Sequence, residues 1–554
     1  MFKKSQSALD QYKQRRGGEV IEPPSHVTRM RRFRHWRTVR LGAFAGALAL
    51  TWLALRIGEP VPVTVTYDLD LSEADRGTLV ITMIIDGDLP GDLDLVFPPG
   101  IFGDDRNGVS PGQPTGRALG PDGSLGNPLP VIRTDDGWRL ATRGAKRAGF
   151  IYRVDLDRVQ SSEEDVRRHI SSPVPGGVRA AGFEIFLEPA GVRVKDITVA
   201  MHNPTGMPVL VPWPALLKGS DLVAERRRRM ARQASEASLG MNEGFRPANL
   251  PTPAPQAPQE QDLAARLPSN LLYHPRDLAD LNNALIICGN IRTLESRARD
   301  TVIQFATDRE WNFEDERALD LIRRIARTEM GFFGSAPTDQ ITVLLAANDI
   351  TAEAGFDVYG IHTGSSVLVM LSPETTWGML EEQAASVIAH EMFHGWLGEA
   401  IPQSDPDMLW FTEGATSWYA ARMLVSAGVW TADHATGMLR ARIQRDYLDN
   451  PVHGKLSPAA AAAEVMADAD QVRYGYAAGM NACMALDAML ARTSGDLAPL
   501  DEVMRALYEG RDRGPLTREL LEQTILDVTG IHCGAWFDTH VYGKTALPPS
   551  ERLI

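Results

Sequence analysis

Cysteine is nearly absent from this 554-residue sequence: Cys288, Cys483 and Cys533 are its three, and no two stand in a Cys-x-x-Cys spacing. That scarcity argues against both a disulfide framework and a cysteine zinc site, and it predicts three free, mostly buried thiols. Basic charge is also short, with 57 Lys+Arg against 71 Asp+Glu and a formal charge of −14. The deficit is uneven. Residues 1–40 hold 11 basic and 3 acidic side chains, a net +8, which leaves a net −22 on the other 514 residues. An acidic body has the wrong sign for coating phosphate backbones, so no nucleic-acid partner is expected. No repeat is evident at a fixed period. What is present, 44% hydrophobic and 23% charged residues, is the composition of an ordinary globular chain of roughly two to four domains.

One apolar run stands apart. After the cluster Arg31, Arg32, Arg34, Arg37 and Arg40, the segment Leu41 to Leu55 carries no charge and is closed by Arg56. Its 15 residues are short against the ~20 of a spanning helix, but Thr38, Val39 and Ile57 extend it while Arg40 and Arg56 reach toward head groups. A cleaved signal peptide fits less well, because 40 residues precede the run and no clear small-x-small cleavage site precedes Arg56, such triplets as Ala47-Leu48-Ala49 lying inside the apolar run itself. A core helix would show a polar face. The expectation is a single-pass membrane anchor over 41–57, with the basic segment 1–40 cytoplasmic and everything after residue 58 extracytoplasmic.

From Val61 to about Trp213, short alternating apolar runs are separated by Gly, Pro and Asp: VTVTYDLDL, TLVITMIID, LDLVF, GFIYRVDL, FEIFLEP and DITVAMHN. They predict a mainly antiparallel β domain over 58–215. Residues 216–245 read as helical, with the run Arg226 to Arg229 a solvated face, and 246–261 place five prolines in 16 positions; together 216–270 form a helical and Pro-rich linker or insertion. Longer helical periodicity follows, at Arg317 to Phe333, at Trp377 to Leu397, and at roughly 415–427, 434–448, 477–492, 499–509 and 516–528, with a buried strand at 341–347. The fold class expected is therefore α+β and multidomain: anchor, antiparallel β domain, a domain with a little sheet and much helix at 271–425 and a helical C-terminal domain at 426–554.

Chemistry concentrates in the 377–397 helix, at His390-Glu391-Met392-Phe393-His394. Histidines at i and i+4 project from one face a turn apart, so two imidazoles can meet one zinc ion while Glu391 faces the same cleft. Glu413 follows with 18 residues between it and His394, in WFTEGATSWYA. A carboxylate there completes a His2Glu site for one Zn2+ ion and leaves one position open for water. Trp396, Trp410 and Trp418 are expected to pack the zinc helices.

With these residues the sequence resembles the glycyl aminopeptidase family of thermolysin-like (gluzincin) zinc peptidases. HPRDLAD (274–280), FFGSAP (332–337), YGYAAGMNACMALDAMLARTSGDLAPLDEVMRALYE (474–509) and WFDTHVYGKTALP (536–548) look like landmarks of that family. The resemblance covers about 270–550 well and the β domain more loosely. It implies a β domain before a thermolysin-like catalytic domain and a helical C-terminal part. Members often carry a C-terminal PDZ domain; here Ile554 follows the helical part directly, and no PDZ domain is expected. Where the family has a Gly-Leu-Glu-His-like strand beside the zinc, this chain reads Tyr359-Gly360-Ile361-His362-Thr363-Gly364-Ser365-Ser366. The glutamate that would hold a substrate's α-amino group is missing; His362 either occupies that neighbourhood or packs on the edge strand.

The expected chemistry is peptide-bond hydrolysis by a zinc-bound water, with Glu391 as general base. By resemblance, the tyrosine of a Tyr-x-x-Gly motif stabilises the oxyanion; Tyr476-Ala477-Ala478-Gly479 matches it, and Tyr474 stands two residues earlier. The function expected is a membrane-anchored, aminopeptidase-like zinc metallopeptidase acting on a peptide or protein substrate. The alternatives are a zinc endopeptidase of altered specificity and a non-catalytic peptide-binding scaffold. Oligomeric state is left open.

Overall fold

Alternation of buried and exposed residues along Val61–Asp70, where Val63, Val65, Tyr67 and Leu69 turn inward, begins the first sheet of the protein. The computed structural model describes residues 60–98, 114–120, 124–156, 170–215, 270–348, 358–403, 405–463, 469–495, 498–551 and 553–554. The basic head, the apolar run at 41–57 and the segment 216–269 lie outside them. Among the described residues no helix is long and apolar enough to cross a membrane.

The first sheet runs edge to edge through Asn270–Tyr273, Val192–His202, Val61–Asp70, Thr78–Gly87, Arg147–Asp155, Thr115–Leu119 and Leu125–Leu129. Two four-stranded sheets complete a β-sandwich around one core that includes Tyr67, Phe150, Tyr152, Phe186 and Trp138. The sandwich is mainly antiparallel, and three of its features were not anticipated in the sequence. Val61–Asp70 pairs in parallel with Val192–His202, because the chain returns to that edge only after crossing the other layer. FEIFLEP is not one strand: Gly182–Ile185 is a helical turn, and only Glu188–Pro189 pairs with a sheet. A boundary at residue 271 falls inside the sandwich, since Asn270–Tyr273 and Leu285–Cys288 are strands of it and Tyr273, Leu281, Ile286 and Cys288 sit in its core.

The second part is built on a five-stranded sheet. Its strands are β1 (Arg292–Ala298), β2 (Thr301–Thr307), β3 (Gln340–Ala347), β4 (Tyr359–Thr363) and β5 (Ser366–Leu371), in the spatial order β1-β2-β3-β5-β4. β2, β3 and β5 are parallel, while β4 pairs antiparallel with β5 and forms an edge. One face of this sheet packs on the sandwich through Leu344, Ala346, Ile361, Leu368 and Met370. The other face receives α1 (Asp315–Phe333) and α2 (Ala385–Phe393), and α3 (Leu409–Ser426), α4 (Ala432–Arg442) and α5 (Ala469–Ser494) join them in one core.

Each helix has local reasons for its extent. α1 buries Leu321, Ile322, Ile325 and Met330 along one stripe and stops at Gly334, whose φ of 86° is left-handed. α2 continues a segment that Thr376 caps, its Oγ1 accepting from the Met379 N–H at 3.4 Å, through a π-helical turn at Leu380–Ala384. α3 begins at Leu409, one residue before Trp410, from which the sequence reads as the start of a helix, and α4 gives way to a π turn at Ile443–Leu448. The core around these helices runs without a break from Ala298 to Leu553, so residues 271–425 and 426–554 share one interior. Trp396, Trp410 and Trp418 are fully buried in it. All three cysteines are free and buried, as the sequence predicts.

Candidate metal centre

α2 and α3 meet so that three donor atoms converge. His390 Nε2 lies 3.0 Å from His394 Nε2 and 3.1 Å from Glu413 Oε2, and His394 Nε2 lies 3.4 Å from the same carboxylate oxygen. Ligands about 2.0–2.1 Å from a tetrahedral zinc stand roughly 3.3 Å apart, so this triangle has the dimensions of one face of a zinc coordination sphere. The second nitrogens fix the rings: His394 Nδ1 is 3.0 Å from the Leu397 carbonyl and His390 Nδ1 is 3.4 Å from Ser417 Oγ. A proton on His394 Nδ1 leaves the Nε2 lone pair facing the triangle, the tautomer a metal requires. Two such lone pairs and a carboxylate, each about an eighth exposed, repel one another unless a proton or cation sits between them. The residues fit a zinc ion, and His390, His394 and Glu413 would hold it.

The close approach of α3 and α5 brings in the tyrosine. A Cβ on Gly414 would stand 2.3 Å from the carbonyl carbon of Gly479, and one on Gly479 would stand 2.2 Å from the Trp410 carbonyl oxygen. Glycine is required at both places for space. These two residues follow Glu413 by one and Tyr476 by three, so the helix crossing itself sets ligand and tyrosine side by side. The Tyr476 ring lies over His390 with centroids 6.1 Å apart and planes 20° apart, and its hydroxyl meets the Glu413 carboxylate. Tyr474 points elsewhere: it is buried, stacked on Tyr447 at 5.6 Å, with its hydroxyl 3.4 Å from the Leu456 carbonyl.

Electrostatics follow from burial and crowding. Burial pushes the Glu391 carboxyl up to about 7, against the pull of His394. Burial also lowers His390, while His394 is held above the usual imidazole range, the Glu413 carboxylate overcoming the opposing effect of burial. Glu413, despite burial, stays below the usual carboxylate range because both histidines face it. Burial and then the Glu413 and Glu391 carboxylates raise the Tyr476 phenol well above its ordinary value, so it remains a donor.

Two residues enter that no motif announced. Arg442, at the end of α4, puts a cation within reach of His390, Glu413 and Tyr476. Ser417, one turn along α3 from Glu413, orients His390. Neither has a spacing signal in the sequence. His362 lies on β4 with its ring centroid 6.4 Å from that of His394. Its ring nitrogens face the carbonyls of Glu391 and Gly364 without forming a hydrogen bond, and burial drives its pKa down to about 3, so the ring is neutral. β4 carries no carboxylate.

Residues 322–493 match the model of the Peptidase family M1 domain. Two aminopeptidases N align over shorter stretches. That of Acetobacter pasteurianus is 23% identical over 134 residues, covering 24% of this chain and 38% of the relative. That of Caulobacter vibrioides is 29% identical over 99 residues, covering 18% and 11%. The chain thus spans well under half the length of these curated relatives. Among solved structures, an aminopeptidase N family protein from Idiomarina loihiensis superposes with a TM-score of 0.65 at 15% identity, over 88% of this chain and 77% of that one. The M1 zinc metallopeptidase of Deinococcus radiodurans gives 0.50 at 12% identity, over 90% and 96%. The fold is that of these zinc peptidase structures, and on it His390, His394 and Glu413 form one donor set that fits zinc. Residues 322–493 are thus similar to an M1 domain, and the described part of the chain shares its fold with an aminopeptidase N family protein.

Proposed function

We propose that the chain is a membrane-anchored zinc metallopeptidase that hydrolyses peptide bonds in an aminopeptidase-like manner. The observation that carries the reading is the triangle of His390, His394 and Glu413 with an uncoordinated carboxylate, Glu391, beside it. When bound, zinc supplies Lewis-acid polarisation of the scissile carbonyl and lowers the pKa of a water. Glu391, buried and adjacent, takes the proton of the attacking water and delivers it to the leaving amine. Tyr476 donates its hydroxyl to the developing oxyanion, with Arg442 adding positive potential on the same side. β4 is an edge strand of its sheet, and an extended peptide can lie along such an edge.

Likeness to aminopeptidases N supports exopeptidase action, and a Deinococcus radiodurans relative is described with a Tyr-Ser-Ala substrate. The landmarks at 274–280, 474–509 and 536–548 support the narrower kinship with glycyl aminopeptidases. One observation favours a second reading, a zinc endopeptidase: β4 brings His362 rather than a carboxylate to the site, so nothing on that strand pairs with a free ammonium. The run at 41–57, with +8 before it, supports the single-pass anchor and an extracytoplasmic catalytic part.

Purified full-length protein, digested against a peptide library with and without a chelator, tests these readings. Chelator-sensitive trimming from the N-terminus is expected. Internal cuts would establish the endopeptidase, and no cuts at all would leave a binding scaffold. Glu391→Gln should keep its zinc and lose hydrolysis by roughly 10²–10⁴-fold or more.

A further inference from the structure

β4 lies along α2, and Gly360 and His362, two residues apart on one strand, share the face that meets it. A Cβ on Gly360 would stand 2.5 Å from Glu391 Cγ, 2.6 Å from Glu391 Oε1 and 2.5 Å from Val387 Cγ1. Real Cβ atoms do not approach this closely, so the strand backbone is already in contact with the carboxylate. Gly360 is not among the glycines with positive φ. An L side chain fits its backbone, and glycine in a strand costs roughly 0.5–1 kcal/mol relative to alanine. The missing side chain is therefore explained by what it would strike. Two residues on, the His362 backbone N–H faces the Glu391 carboxylate.

We propose that β4 is the positioning element of the general base: Gly360 leaves the space that the Glu391 carboxylate occupies, and the strand backbone in contact with it holds its direction. The inference rests on the peptidase reading of the site and adds residues that touch neither zinc nor substrate in that role. Its physical content is that a glutamate on a helix has three rotatable bonds, and a general base must hold one direction to within hydrogen-bond reach of the proton it takes. Displacement by about 1 Å can cost roughly 10²-fold in rate. A rigid strand edge supplies the restraint that the helix cannot.

Gly360→Ala in the full-length protein tests the proposal. kcat should fall roughly 10²-fold while KM, zinc content and unfolding temperature stay near wild type. Introduced into the Glu391→Gln protein, the same change should leave the residual rate unaltered, because the two act through one group. Val387→Ala removes one of the two collisions, so the double variant Gly360→Ala/Val387→Ala folds with less strain and should still be slow; recovery of wild-type kcat there would assign the loss to helix–strand packing and overturn the proposal. A crystal structure of Gly360→Ala should show Glu391 swung from β4 with His390, His394 and Glu413 in place, and an unmoved Glu391 overturns the proposal as well. An inactive wild-type protein would instead overturn the peptidase reading, and the structural comparison would still judge the role of the strand.

Discussion

The β-sandwich and the catalytic helices bury polar groups to opposite ends. In the sandwich, the Tyr67 hydroxyl donates to the Leu187 carbonyl at 2.7 Å and the Tyr152 hydroxyl to the Ile185 carbonyl at 2.8 Å. Both tie the irregular stretch around 182–189 to the regular sheet, and both phenols are complete within the protein. Among the helices, His390, His394 and Glu413 aim at one another, and their geometry is satisfied only by something placed between them. Hydrogen bonds closed within a layer report on folding; donors left converging report on a ligand. The same contrast separates Tyr474 from Tyr476, two residues apart on one helix.

That contrast is sharpest under substitution. Tyr476→Phe should lower kcat by roughly 10²–10³-fold with zinc retained, the loss expected for one oxyanion donor. Tyr474→Phe should leave kcat unchanged and cost at most about 1 kcal/mol of stability, since its hydroxyl makes one long bond to Leu456. Steady-state kinetics beside thermal melts decide the pair. A kcat loss in the Tyr474 variant alone would reverse the assignment.

How much of this was legible beforehand follows from the range of each interaction. The zinc ligands were readable because i and i+4 on one helix is a local relation, and Glu413 because a second helix follows within twenty residues. The strands at 61–70 and 78–87 were readable from period-two burial. The parallel return of Val192–His202, the continuation of the sandwich to Cys288 and the approach of Arg442 were not, because each depends on chain segments that meet only in three dimensions. Gly414 and Gly479 were visible as letters, but the helix crossing that needs them was not.

Glu329 tests whether an uncompleted polar group always marks chemistry. It is fully buried in α1, both oxygens lack a hydrogen-bond partner, and burial raises its pKa well above the usual carboxylate range. A folded-state pKa above the unfolded one means the native state holds the proton more tightly. That contribution is intact below the unfolded value of about 4.3 and is lost as pH rises toward the folded one, by up to about 1.4 kcal/mol per pH unit. Glu329→Gln removes the titration. Its melting temperature should exceed that of wild type at pH 8, and the gain should shrink as pH falls to about 4. Activity should persist. A loss of peptidase activity at constant zinc content would instead tie Glu329 to the site.

The smallest effect belongs to the closed hydrogen bonds of the sandwich. Tyr67→Phe keeps the ring, which packs edge-on against Phe186 with centroids 5.0 Å apart, and deletes only the hydroxyl that serves the Leu187 carbonyl. An orphaned buried carbonyl retains a second lone pair but loses its one strong donor, so the expected cost is about 1 kcal/mol, or roughly 2–4 °C in midpoint for a domain of that size. Zinc content and kcat per folded molecule should match wild type, measured by metal analysis and active-site titration. If the variant lost kcat in proportion to nothing but Tyr67, the sandwich would be coupled to the zinc helices through Ile361 and Leu368, where the two regions share apolar contacts; equal kcat leaves the sandwich as the support on which the catalytic sheet rests.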